Sequence, residues 1–144
     1  MHGILDNFEV RYVGDPVSNA SSTDANSDRI DMQGYESVAF VAGITDSAAT
    51  GVATLKIEES DADSDDNMTA VTGATTSVTC ADNDDINSTA LKVELRKPDK
   101  RYVQAVRVSA TANIAFGDVI AILKPLRRPA EDGDTISGSA YVSN

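Results

Sequence analysis

Branching at Cβ is the feature that most narrows what this chain can become. Val (14), Ile (9) and Thr (12) stand against only 6 Leu. Two heavy substituents on Cβ restrict χ1 against a preceding helical turn and pack well on a pleated surface. The order of residues agrees with this. No segment sustains a helical repeat of apolar positions, so no helix longer than about two turns is expected. Period-two runs recur instead, broken by turn residues roughly every ten positions, the spacing of an all-β sandwich or barrel.

These runs predict the strands. Phe8, Val10 and Tyr12 alternate with Glu9 and Arg11. Asp15 to Asp28, rich in Ser, Asn, Asp and Ala, reads as a loop or mobile arm. Arg29 to Gln33 is a short strand closed by Gly34. Ser37 to Ile44 puts Val38, Phe40, Ala42 and Ile44 on one face. Val52 to Glu59 turns Leu55 and Ile57 inward, with Lys56 and Glu58 outward. Met68–Val71 and Ser77–Cys80 are weaker strands. Leu91, Val93 and Leu95 alternate with charged neighbours, and Tyr102–Ala112 and Asp118–Lys124 complete the set. The predicted core is Val38, Phe40, Leu55, Ile57, Leu91, Val93, Leu95, Val106, Val108, Ile120 and Ile122.

The expectation is a single antiparallel β-sandwich or jelly-roll-like domain over residues 29–124. An N-terminal strand and mobile arm (1–28) precede it and a C-terminal arm (125–144) follows. Asp118–Lys124 is apolar on both faces, and a small sandwich buries one face of each sheet in its own core. The other face needs cover from the C-terminal arm or from another subunit. A homo-oligomer, with a trimer favoured, is the expectation.

Charge excludes several partners. Lys plus Arg total 12 against 23 Asp plus Glu, for a net charge of −11. Sequence-neutral nucleic-acid binding and anionic membrane surfaces both require cationic protein surface, so neither is expected. The charge is uneven. Residues 1–91 carry 3 basic and 17 acidic side chains, whereas residues 92–144 carry 9 basic and 6 acidic. The basic residues cluster at Arg96, Lys97, Lys100 and Arg101, and again at Lys124, Arg127 and Arg128. Met1–Tyr12 lacks the basic start and apolar stretch of a signal peptide.

No catalytic residue, metal ligand set or cofactor site emerges. His2 is the single His and Cys80 the single Cys. Two candidates cannot supply the four ligands of a structural zinc site, and a nucleophile lacks a positioned base. Cys80 reads as a small buried hydrophobe. Asp61, Asp63 and Asp65 alternate as in a calcium loop, but Asp66 stands where that loop requires Gly and Thr72 where it requires Glu. The segment reads as an exposed acidic hairpin that binds divalent ions weakly at most. Asp82, Asp84 and Asp85 read the same way.

Two stretches carry a resemblance. One runs from Arg29 to Glu59: Ile-Asp-Met-Gln-Gly-Tyr-Glu-Ser-Val-Ala-Phe, a Gly-Ile-Thr-Asp turn, then Ala-Thr-Leu-Lys-Ile-Glu-Glu-Ser. The other runs from Lys97 to Pro129, with Lys-Arg-Tyr-Val-Gln-Ala-Val-Arg-Val and Pro-Leu-Arg-Arg-Pro. In strand texture they resemble small β-sandwich virion proteins of tailed bacteriophages, of the capsid decoration or cement type. The resemblance implies a non-enzymatic structural protein on the outer capsid surface of a virion, made in the host cytoplasm, trimeric, with the major capsid protein as partner and no cofactor. The alternative is a receptor- or carbohydrate-binding β-module on a tail or fibre. Extended arms add contact area with few residues. Arg127 and Arg128, held between Pro125 and Pro129, and Tyr141 are therefore the expected capsid or inter-subunit contacts.

Overall fold

A computed structural model describes residues 3–127 and 130–143. Ten strands follow one short helix, α1 (Ile4–Asn7): β1 (Glu9–Gly14), β2 (Val17–Ala20), β3 (Thr23–Asn26), β4 (Ile30–Asp31), β5 (Tyr35–Ser47), β6 (Val52–Ser60), β7 (Thr69–Thr79), β8 (Thr89–Arg96), β9 (Tyr102–Ala110) and β10 (Ile114–Pro125). A single 3₁₀ turn at Asp65–Asn67 is the other helical segment among the described residues.

The strands form two antiparallel sheets. The first runs β1-β10-β5-β8, with β2 also on β10; the second runs β3-β9-β6-β7, with β4 also on β9. Counting β1 with β2, and β3 with β4, as single strand positions leaves eight. Their order is first, eighth, third and sixth against second, seventh, fourth and fifth. This is the interleaved order of a jelly roll. The expected all-β sandwich is thus the observed fold.

The two inner faces make one core. Val38, Phe40, Ala42 and Ile44 from β5 meet Ala53, Leu55 and Ile57 from β6, and all are buried. Cys80 is fully buried beside them, as expected of a small hydrophobe, and its single S–H faces two acceptors, Asp82 O (2.8 Å from Sγ) and Asp85 Oδ1 (3.0 Å). Leu91 is buried, and Val93 and Leu95 pack against the core while partly exposed.

Four core assignments fall on the wrong face. In β10 the buried residues are Val119, Ala121 and Leu123, while Ile120 and Ile122 point to the outer side and stay partly exposed. In β9 the core takes Val103 and Ala105. Val106 is buried outside that cluster, and Val108 is partly exposed. β10 is apolar on both faces, so alternation fixes the strand but not its phase; in β9 alternation points the wrong way, because the inward face carries Arg107 and Ser109 after Val103 and Ala105. In β1 the charged Glu9 is buried (7% exposed), where Arg11 and Tyr35 satisfy its carboxylate, while Val10 and Tyr12 stay partly exposed.

Two stretches are more ordered than their composition suggests. Asp15–Asp28 contains β2 and β3, which pair with β10 and β9. The expected strands Met68–Val71 and Ser77–Cys80 are, apart from their outer ends Met68 and Cys80, parts of the continuous strand β7, in which Gly73 adopts φ +85°. No strand or helix forms among the described residues after Pro125.

A charge sits inside the sandwich. Arg107 is 2% exposed, and its Nη1 donates to Asp15 O (2.6 Å) and Gly117 O (2.9 Å). It ties the chain after β1 to the irregular centre of β10. Burial lowers its pKa.

Candidate functional site

The two basic segments, far apart in sequence, meet at one end of the sandwich. β5 lies between β8 and β10, so Ser37 faces Arg96 on one side and Lys124 on the other. Glu36, one residue earlier, receives both cations. Arg96 Nε and Nη2 each lie 3.0 Å from its Oε1, and Lys124 Nζ lies 3.0 Å from Oε2. Lys124 and then Arg96 hold the Glu36 carboxyl below its ordinary pKa by hydrogen bonding to its charged form.

The loop between β8 and β9 is fastened at three points. Lys97 N donates to Glu36 O (2.7 Å), with Lys97 itself at φ +53°. The buried carboxylate of Glu59 accepts from Asp99 N (3.1 Å) and Lys100 N (3.3 Å). Arg101 makes a two-pronged pair with Asp31 (2.9 and 2.8 Å), which lowers the Asp31 pKa. Fork-to-fork geometry of this kind orients as well as attracts. The loop is therefore a positioned surface rather than a solvated run of charge.

A cleft of about 590 Å³ opens between this loop and the turn before β5, lined by Met32, Tyr35, Lys97, Lys100, Arg101 and Leu126 among others. A second, of about 410 Å³, shares Gln33, Tyr35 and Leu126 and continues toward Glu9, Arg127 and Glu131. Leu126, held by its N–H on Gly34 O (2.9 Å), stands between them 67% exposed.

Beneath the second cleft lies a polar trio. The Tyr35 hydroxyl donates to Glu9 Oε2 and accepts from Arg11 Nη2 (2.9 Å), while Arg11 Nε donates to Glu9 Oε1 (2.7 Å). Burial, and then the Glu9 contact, raise the Tyr35 pKa. The hydroxyl thus stays protonated at neutral pH, with its hydrogen committed to Glu9, and is not poised as a nucleophile.

The groups offered to a partner are Lys97, Lys100, Leu126 and Arg127. Among the described residues Lys100 Nζ reaches Thr69 Oγ1 alone, at a weak 3.5 Å. Leu126 thus sits in a rim of mixed charge, basic at Lys97, Lys100 and Arg101 on the first cleft and with Arg127 beside Glu9 and Glu131 on the second; an apolar side chain inside a polar rim matches the anatomy of a protein contact patch.

Of the expected contact residues, Arg127 is exposed and lines the second cleft. Arg128 lies outside the described residues. Tyr141, 49% exposed, packs over Gly3, where an added Cβ would come within 2.7 Å of its ring, and it lines neither cleft. The arm carrying it is fastened along β1 and α1, through Ala130 N to Asp6 O (2.9 Å) and Tyr12 N to Thr135 Oγ1 (3.2 Å). Sequence reasoning missed Glu9, Tyr35, Glu36 and Glu59, because their roles come from strand pairing rather than from any local motif.

The outer face of the first sheet supplies a second surface. Val10, Ile122 and Ala39 lie side by side across three strands, as do Tyr12, Ile120 and Val41, and all six are partly exposed. The Tyr12 hydroxyl sits 2.5 Å from Asp118 Oδ1 and 3.0 Å from Asp15 Oδ1; these carboxylates, Asp118 above all, raise its pKa.

The Asp61–Asp66 loop is exposed at its carboxylates, as expected. Arg29 bridges it, with Nε 2.5 Å from Asp63 and Nη1 2.6 Å from Asp65. No group of three His, Cys, Asp or Glu with metal-binding geometry occurs among the described residues.

No protein-family model and no curated protein matches the chain. Solved structures do. The exported protein XepA of PBSX is similar over 91% of this chain, at 16% identity and a TM-score of 0.51, and the chain spans 43% of XepA. A CBM4 structure aligns over 83% of this chain and 87% of its own, at 9% identity and a TM-score of 0.41. A Clostridium thermocellum xylanase 10B fragment with CBM22-1 and GH10 modules aligns over 94% of this chain and 29% of its own, at 14% identity and a TM-score of 0.43. XepA shares the fold, and the two looser likenesses carry no argument about function.

Proposed function

We propose that this chain is a non-enzymatic structural module of a tailed-phage particle, seated on the outer capsid surface as a decoration or cement protein. The observation that carries the reading is the convergence of Arg96–Arg101 and Lys124–Arg127 around the exposed Leu126. The Lys97–Arg101 side of that patch suits an acidic protein surface, and Leu126 suits a small apolar socket beside it. The remaining surface is strongly acidic, which suits a position away from packaged DNA. In this reading the major capsid protein meets the patch, and copies of the chain meet through the outer face of the first sheet to form a trimer. The fold is one that XepA of phage PBSX shares, which fits a phage origin without assigning a role.

The test is co-sedimentation with undecorated capsids of the encoding phage, followed by thermal rupture. The protein is expected to bind and to raise the rupture temperature, and Leu126→Asp is expected to lose both effects while keeping its own melting temperature. Failure of the unaltered protein to bind would refute the proposal.

A carbohydrate-binding role on a tail or fibre is the second reading. It rests on Tyr35, part of whose surface lines both clefts beside Gln33. It requires glycan binding that Tyr35→Ala abolishes and capsids do not compete.

A further inference from the structure

The two sheets end on one side in very different strands. β8 closes the first sheet and carries Lys92, Glu94 and Arg96 at exposed alternate positions. Charges of this kind are how natural sheets discourage another strand from adding to an edge. β7 closes the second sheet and has none. Its eleven residues, Thr69 to Thr79, are uncharged and rich in Thr and Val. Only the bend at Gly73 interrupts it.

The free side of β7 is supplied with bonding groups. Cys80, just past the strand, donates its N–H to Gly51 O and accepts from Thr50 N, both at 2.8 Å, so its backbone faces β6. Backbone direction alternates along a strand. Val78 and Thr76 therefore face β6 as well, and Thr75, Ser77 and Thr79 turn their N–H and C=O groups outward. Among the described residues β7 has β6 as its one strand partner. The side chains of Thr75, Ser77 and Thr79 are exposed too.

Charge says what would pair there. The Asp61–Asp66 loop stands before β7, and Asp82, Asp84 and Asp85 stand after it. No basic residue occurs between Lys56 and Lys92; from elsewhere Arg29 answers Asp63 and Asp65, and Lys100 Nζ lies 3.5 Å from Thr69 Oγ1 without pairing a carboxylate of either cluster among the described residues. A second copy of β7 in antiparallel register would set the first acidic cluster of one chain against the second cluster of the other. That arrangement is repulsive.

We infer that the free edge of β7 receives an extended segment of another polypeptide, uncharged and β-branched at its centre, with Lys or Arg at both flanks. The main-chain ladder supplies affinity, and the two acidic clusters select the flanks. This inference does not depend on the capsid reading.

The test uses the full chain and two synthetic peptides, Lys-Lys-Val-Thr-Val-Thr-Val-Lys-Lys and the same core flanked by Glu. Fluorescence anisotropy measures binding at low and high salt, and amide hydrogen exchange by NMR locates it. The Lys-flanked peptide is expected to bind at least about tenfold more tightly at low salt, a gap that narrows as salt screens the clusters. It should slow exchange at Thr75, Ser77 and Thr79. Ser77→Pro deletes an outward N–H that β6 does not use, a change edge strands tolerate, and Thr75→Lys adds a guarding charge. Both are expected to lose binding with the circular dichroism spectrum and melting temperature retained. Equal binding of the two peptides, no slowing of those amides at millimolar peptide, or binding unaffected by both variants would overturn the inference. So would concentration-dependent protection of the same amides without peptide, which would place a second copy there.

Discussion

Leu123 and Ile122 are neighbours in β10, and exchanging each for Ala separates the core face from the outer face by measurement. Leu123 is fully buried. Leu123→Ala removes three carbons, a transfer loss of about 2.4 kcal/mol at ~0.8 kcal/mol per methylene. The surrounding core is a sandwich interior held on both sides by long ladders, so it relaxes little, and the cavity adds to the loss. The expected total is about 3–4 kcal/mol, inside the range measured for buried Leu→Ala changes. Ile122 is partly exposed on the other side of the sheet, so Ile122→Ala is expected to cost about 1 kcal/mol, a fraction of full burial. For a chain of this size these correspond to melting-temperature losses of about 10 °C and about 3 °C. Urea unfolding at low micromolar concentration, with unchanged m-values, is the assay. A loss from Ile122→Ala equal to or larger than that from Leu123→Ala would refute the assignment of faces. A loss from Ile122→Ala that grows with protein concentration would mean that the outer face is covered by another copy.

Three further outcomes are expected. The Glu36 carboxyl has its pKa depressed by Lys124 and Arg96, so the folded state binds fewer protons than the unfolded state just below about pH 4, and its contribution to stability is lost as pH falls through the folded value. Urea melts between neutral pH and strong acid should show that loss, and Glu36→Gln should flatten it. Gly51→Ala would place a Cβ 2.9 Å from both Ala48 O and Ile114 Cδ1; a destabilisation of about 1–3 kcal/mol is expected, and an unchanged melting temperature would contradict the turn geometry. Calcium titration by calorimetry should show no micromolar binding at the Asp61–Asp66 loop, where Arg29 already occupies two carboxylates. Micromolar affinity lost in Asp63→Ala would refute that reading.

Residue types and their alternation were enough for the class of fold. β-branched residues cannot be housed in helices at this density without cost, and in β5 and β6 the inward residues are apolar while their neighbours, with exceptions such as Val41, are charged, polar or small, so strand and face are both legible. Where both faces are apolar, as in β10, alternation carries no phase, and in β9 it misleads, because Arg107 and Ser109 share the inward face with Val103 and Ala105. Only packing decided that Val119, Ala121 and Leu123 go in and that Ile120 and Ile122 go out. Asp15–Asp28 has no alternation to read, and β2 and β3 exist because β10 and β9 lend them partners. The basic surface shows the same division. The sequence displays Arg96–Arg101 and Lys124–Arg127 as two separate runs. They became one site because the jelly-roll order inserts β5 between β8 and β10, which delivers Glu36 to both, and no local pattern encodes a neighbour supplied by a strand pairing that spans most of the chain.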